Sequence, residues 1–152
     1  MHARYVRSQQ YTKSLKRNTL YISEFGTLVK GLINTFRNTL HTSEYDNTNV
    51  SVVSMEGGEV FAMTETPNHI LIDKQTLETK GKKQYNDKIQ SQTCAPHPIM
   101  DYDKNILVNV FVKFGRLTNY QVVEQNMQIG ERKVTAVFKS KAPFYLHSFR
   151  IT

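Results

Sequence analysis

The sequence predicts an all-β fold on three observations. Short β-rich runs recur about every dozen residues from Asn49 onward, turn-forming residues separate them, and nothing between them reads as a crossover helix. The candidate strands are 50–54, 60–64, 69–73, 106–114, 120–125, 133–138 and 144–149. Gly57 and Gly58 supply the positive φ of a hairpin between the first two. Asp73-Lys74-Gln75-Thr76 and Asp101-Tyr102-Asp103-Lys104-Asn105 read as polar turns, because Asp and Asn side chains bond their own backbone. Strands joined in this way pair antiparallel, so 49–149 is expected to hold no helix longer than two turns. A sandwich, a barrel and a propeller all satisfy the pattern.

The amino-terminal quarter differs in kind. Leu28, Val29, Leu32, Ile33, Phe36 and Leu40 recur at helical spacing with Lys30, Asn34, Arg37 and Asn38 between them, which predicts an amphipathic helix of about three turns. Such a stripe packs on a β core or lies in a membrane surface, and its basic flanks suit the second use as well as its leucines suit the first. Residues 1–37 carry Arg4, Arg7, Lys13, Lys16, Arg17, Lys30 and Arg37 against Glu24 alone, so six of the seven net positive charges sit there. A basic end on a near-neutral body points to a local anionic contact. Aromatics such as Tyr5, Tyr11 and Tyr21 stand among these cations, but no RNP-like strand accompanies them, which argues against a nucleic-acid partner.

At 152 residues, with 39% hydrophobic and 22% charged positions, the chain has the makings of one core and is neither disordered nor fibrous. Cys94 is the single cysteine, which excludes an internal disulfide and any cysteine-paired zinc site and suits a reducing compartment. No apolar run approaches the roughly 20 residues of a membrane span, and no apolar stretch follows His2, Arg4, Arg7 and Lys13 to make a secretory signal.

The residues that could carry chemistry are histidines. No HExxH, GxSxG, P-loop or GxGxxG pattern is present, which removes the common metalloprotease, hydrolase and nucleotide readings. His97 lies in Cys94-Ala95-Pro96-His97-Pro98, where two prolines fix the backbone and keep it out of a ladder. His147 lies in the apolar run Phe144-Tyr145-Leu146-His147-Ser148-Phe149 and needs partners for its ring nitrogens. Each is either a hydrogen-bonded structural histidine or a metal ligand. Glu65 is either an exposed strand carboxylate or a partner to such a ring.

Six motifs occur in an order that carries further. They are Tyr21-Ile-Ser-Glu-Phe-Gly-Thr-Leu28, Asp46-Asn-Thr-Asn-Val50, Phe61-Ala-Met-Thr-Glu-Thr66, Ile72-Asp-Lys-Gln-Thr-Leu-Glu-Thr79, Ala95-Pro-His-Pro98 and Tyr145-Leu-His-Ser-Phe149. As an ordered set they resemble the carotenoid cleavage oxygenase family, most of all its animal carotene oxygenases and the retinoid isomerase of the pigment epithelium. The resemblance implies a seven-bladed β-propeller with Fe2+ held on its axis by four histidines, an apolar tunnel for a carotenoid or retinoid, and a surface resting on membrane. It implies that 1–152 is a partial propeller domain of about two blades.

The same resemblance places His97 on the first iron ligand, His147 on the second, and Glu65 on a carboxylate that orients a ligating histidine. It implies that Leu28, Leu32, Ile33, Phe36 and Leu40 contact the membrane, with the protein cytoplasmic and peripherally bound. Departures accompany the matches. His2, His41 and His69 stand in no ligand motif, Arg150 replaces the glycine expected after His-Ser-Phe, and the chain ends five residues after His147. The expected function is therefore an iron-dependent oxygenase of polyenes, present here as a fragment. The other reading is a non-catalytic lipid-binding or membrane-associated β module without a complete metal site.

Overall fold

The computed structural model describes residues 3–21 and 45–151. Two antiparallel sheets and one short helix make up the described chain. The first sheet is a meander of β1 (Ser51–Ser54), β2 (Val60–Met63), β3 (Ile70–Ile72) and β4 (Thr79–Lys82) in sequential order. The second has β5 (Thr93–Cys94), β7 (Ile106–Lys113), β8 (Thr118–Asn126) and β9 (Arg132–Ser140) in that order, with β6 (Ile99–Asp101) also paired to β7. The one helix described, α1, spans Gln9–Arg17.

The first hairpin shows how two adjacent glycines do different work. Gly58 sits at φ 87°, the left-handed conformation the β1–β2 turn demands. Gly57 is needed for space instead. A Cβ there would lie 2.4 Å from the Gln128 carbonyl oxygen, and the Gly57 N–H donates to Met127 O at 3.1 Å. The tip of one sheet is thus bonded to the β8–β9 turn of the other. Beneath this contact Val53, Met55, Phe61, Met63, Leu107 and Met127 form one buried cluster with side chains from both sheets. Fully burying each large apolar side chain contributes about 1.5–3 kcal/mol.

The two polar turns form as their aspartates require. Asp73 Oδ1 accepts from the Gln75 and Thr76 N–H groups at 2.9 Å each, and Asp101 Oδ1 accepts from Lys104 N at 3.0 Å. Between β4 and β5 the chain is held by charge. Arg132, with a side chain only 6% exposed, grips Asp87 through two bonds of 2.7 and 2.8 Å and lies 3.5 Å over the ring of Tyr85. His69 is buried against Phe61, Tyr85 and Phe111, so it is structural.

One expectation needs correction, and four elements went unpredicted. Residues 144–149 join no ladder. Phe144 stacks on Tyr120, and Leu146 and Phe149 pack on the Val110, Val112 and Tyr120 cluster, so side-chain packing replaces strand pairing there. Strands β4, β5 and β6 are only two to four residues long, and β5 and β6 are separated by a link with two prolines, so the periodicity did not reveal them. Helix α1 buries only Gln10 and has no apolar stripe, so it too escaped the pattern. What holds it is capping: Ser8 Oγ accepts from Tyr11 N, and Asp46 accepts from the Gln9 and Gln10 N–H groups at 2.6 and 2.9 Å. The stripe from Leu28 to Leu40 lies outside the described residues.

Candidate metal centre

His97 owes its place to the link between two strands that share one neighbour. β5 and β6 both pair with β7, and the four residues between them must turn over its surface. Pro96 is fully buried and its carbonyl accepts from Ser51 Oγ, which pins the link to the start of β1. Ala95 N donates to Val110 O at 2.9 Å. With backbone on either side fixed, His97 is left exposed at the rim.

Glu65 follows β2 and is tied to the same link by backbone. Cys94 N donates to Glu65 O at 2.8 Å, and the buried Cys94 thiol donates to Thr66 O at 3.2 Å. Burial and the nearby Glu65 charge push that thiol well above its usual pKa, so it stays a neutral donor. The Glu65 side chain is 14% exposed. Burial opposes its ionisation, but hydrogen bonds from Thr64, its own backbone N–H and Tyr145, with the neighbouring His147, outweigh that cost and lower its pKa.

His147 comes from the irregular segment after β9. Leu146 and Phe149 pack on the Val110, Val112 and Tyr120 cluster and Phe144 stacks on the Tyr120 ring, while Tyr145 and His147 lie toward Glu65. The structure brings His97, His147 and Glu65 together. The rings of His97 and His147 have centroids 4.8 Å apart at an interplanar angle of 69°. His147 Nδ1 stands 3.4 Å from Glu65 Oε1 and 3.0 Å from the Tyr145 hydroxyl, which itself lies 3.1 Å from the same carboxylate oxygen.

Tyr145 is the member of this cluster that sequence reasoning missed. Its signal was the i, i+2 spacing to His147, which puts both on one side of an extended segment. The ionised carboxylate has no proton to give, so the phenol proton points to Glu65 and the Tyr145 oxygen is left to accept from Nδ1–H of His147. The lone pair of that ring is then on Nε2. Carboxylate pull also explains why the Tyr145 phenol titrates above its ordinary value, after burial.

Two neighbouring imidazoles, one of them with Nδ1 engaged by a phenol and a carboxylate, are a donor set that could hold a metal ion. A nitrogen about 2.1 Å from a metal puts its ring centre a little over 3 Å away, so two rings at right angles on one ion have centres on the order of 4.6 Å apart. The 4.8 Å observed fits that spacing. Among the described residues no group of three or more His, Cys, Asp or Glu is arranged to hold a metal.

The sequence model of the family described as Retinal pigment epithelial membrane protein matches residues 1–152, the whole chain. The chain belongs to this family. Among curated relatives, the carotenoid cleavage dioxygenase 8 homolog A of Oryza sativa subsp. japonica is 30% identical over 161 residues, covering 98% of this chain and 28% of its own length. The human beta,beta-carotene 15,15'-dioxygenase is 30% identical over 173 residues, with 99% of this chain and 31% of its own length covered. Among solved structures, a mutant of the Synechocystis apocarotenoid oxygenase superposes with TM-score 0.72 at 17% identity over 98% of this chain and 32% of that one. The lignostilbene dioxygenase of Pseudomonas brassicacearum does so with TM-score 0.63 at 21% identity, over 95% and 29%. The family member described here thus spans about a third of the length of these relatives, and it shares their fold over that span.

Proposed function

We propose that the chain supplies two iron ligands, His97 and His147, to an iron-dependent oxygenase that cleaves a double bond of a carotenoid, apocarotenoid or retinoid. The observation that carries this is the paired rings 4.8 Å apart, with His147 Nδ1 engaged by Tyr145 and Glu65. The names of the relatives support the polyene as substrate class, and their shared fold supports two blades of a seven-bladed propeller.

Fe2+ bound there would supply open coordination positions for oxygen beside neutral imidazoles, without a carboxylate ligand among the residues named. The chain's own residues do the rest. Glu65 holds the phenol of Tyr145, Tyr145 holds Nδ1–H of His147, and the fixed tautomer keeps Nε2 unprotonated. Pro96 and Pro98 keep His97 on a stiff link, so little ordering is required when a metal binds. The basic amino-terminal region and the apolar stripe of Leu28, Leu32, Ile33, Phe36 and Leu40 belong, in this proposal, to a surface that rests on the cytoplasmic face of a membrane, from which an apolar substrate enters.

Anaerobic titration of the chain with Fe2+ tests the proposal. Two histidines leave much of the coordination sphere to water, so binding is expected to be weak and mostly lost on dialysis. His97→Ala and His147→Ala should each weaken it further, by about tenfold or more. Equal binding by the wild type and both variants would contradict the assignment of these two residues.

A further inference from the structure

The segment that carries His147 lacks a ladder, and one side chain holds its start. The hydroxyl of Tyr120, on β8, donates to Phe144 O at 2.9 Å and accepts from Phe144 N at 2.7 Å. Its ring stacks on Phe144 at 4.1 Å between centroids and 7° between planes, and on Phe138 at 4.8 Å and 3°. Tyr120 itself is 0% exposed. A buried phenol that satisfies both backbone groups of one residue does for the segment what a strand neighbour would do.

We infer that Tyr120 is a positioning residue for the metal centre: its hydroxyl fixes Phe144 and thereby sets where Tyr145 and His147 stand relative to Glu65 and His97. Three steps of extended chain, about 10 Å, lead from Phe144 to His147. Within that span Leu146, and beyond it Phe149, pack on the Val110, Val112 and Tyr120 cluster, while Tyr145 and His147 stand toward Glu65. A shift of the anchor along the segment would move the phenol off a carboxylate it reaches at 3.1 Å and release Nδ1 of His147 from a partner at 3.0 Å. The importance of this device rests on His147 being a ligand, but its operation does not require metal.

The test is therefore made on the metal-free chain by NMR. In the wild type the His147 side-chain nitrogens should report the Nδ1–H form, with ring contacts to His97. Tyr120→Phe keeps the ring and removes the hydroxyl. It should speed amide exchange at Phe144 by about tenfold, shift His147 toward a mixture of tautomers, and weaken the contacts to His97, while signals from β7 and β8 stay in place. Phe144→Leu removes the stack but keeps the backbone groups that Tyr120 binds, and should leave the His147 signature unchanged.

An unaltered His147 in Tyr120→Phe would overturn the inference. So would loss of the sheet signals together with those of 144–149, because the hydroxyl would then support the sheet as a whole. An equal effect of Phe144→Leu would assign the positioning to stacking instead. Failure of the wild type to bind Fe2+ would sink the proposed function without touching any of these readouts.

Discussion

At the scale of single residues, Glu65 acts through two contacts that a neutral amide cannot reproduce in full. The carboxylate accepts from Thr64 Oγ1 at 2.7 Å and from Tyr145 at 3.1 Å, and its charge favours the Nδ1–H form of the ring beyond. Glu65→Gln keeps the shape and the backbone bond from Cys94, so the fold should survive. Metal affinity should fall by about 10- to 100-fold, as measured by Fe2+ titration, and an unchanged affinity would remove Glu65 from the site. His69 shows the contrasting case of a histidine buried for structure. Burial pulls its pKa down to about 3, with Arg132 and Lys82 acting in the same direction. The folded chain therefore holds it neutral, while the unfolded chain protonates it near its ordinary value of about 6.5. Stability should be fully present above that value and fall as pH drops toward 3, with the slope of one proton. Urea midpoints between pH 7 and 5 check this, and His69→Gln should flatten the decline; the same slope in both proteins would contradict it.

Whole elements were legible where residue type and position carried the same message. The Val-rich β7 and the alternating β8 appear close to their expected places because apolar side chains must cover the shared core. The run 144–149 has the residue types of a strand, yet the backbone of Phe144 bonds to a phenol rather than to a neighbouring strand, and no sequence pattern distinguishes those two anchors. Helix α1 depends on Asp46, 37 residues from Gln9, and so could not be seen locally. Gly57 teaches the same lesson, since its need arises from Gln128 in the other sheet. Gly57→Ala should force that turn apart and destabilise the chain by about 1–3 kcal/mol, read as a lower urea midpoint. A midpoint equal to the wild type would show that the two sheets do not depend on this contact. The stripe from Leu28 to Leu40 is open to a direct test by liposome co-sedimentation. Leu32→Asp/Phe36→Asp should lower binding to anionic vesicles, and equal binding or a collapsed fold would assign the stripe to the core.

For the molecule as a whole, two sheets packed on one core bring together three short links from distant parts of the sequence. Glu65 follows β2, His97 lies between β5 and β6, and His147 follows β9, so the site exists only when both sheets are assembled. The ordered motifs made the three residues visible in the sequence, but not their geometry. Tyr145 and Tyr120 were hidden because each acts through partners far along the chain, Glu65 for one and Phe144 for the other. Membership of the family motivates the proposed use of the paired imidazoles, and their spacing is compatible with it. The most direct test is X-ray absorption at the iron edge on the chain loaded anaerobically with Fe2+. Two imidazole shells should appear with nitrogen at about 2.1 Å, falling to one in His97→Ala and one in His147→Ala. Iron surrounded by oxygen alone in the wild type, or a shell that neither substitution changes, would contradict a metal site shared by these two histidines.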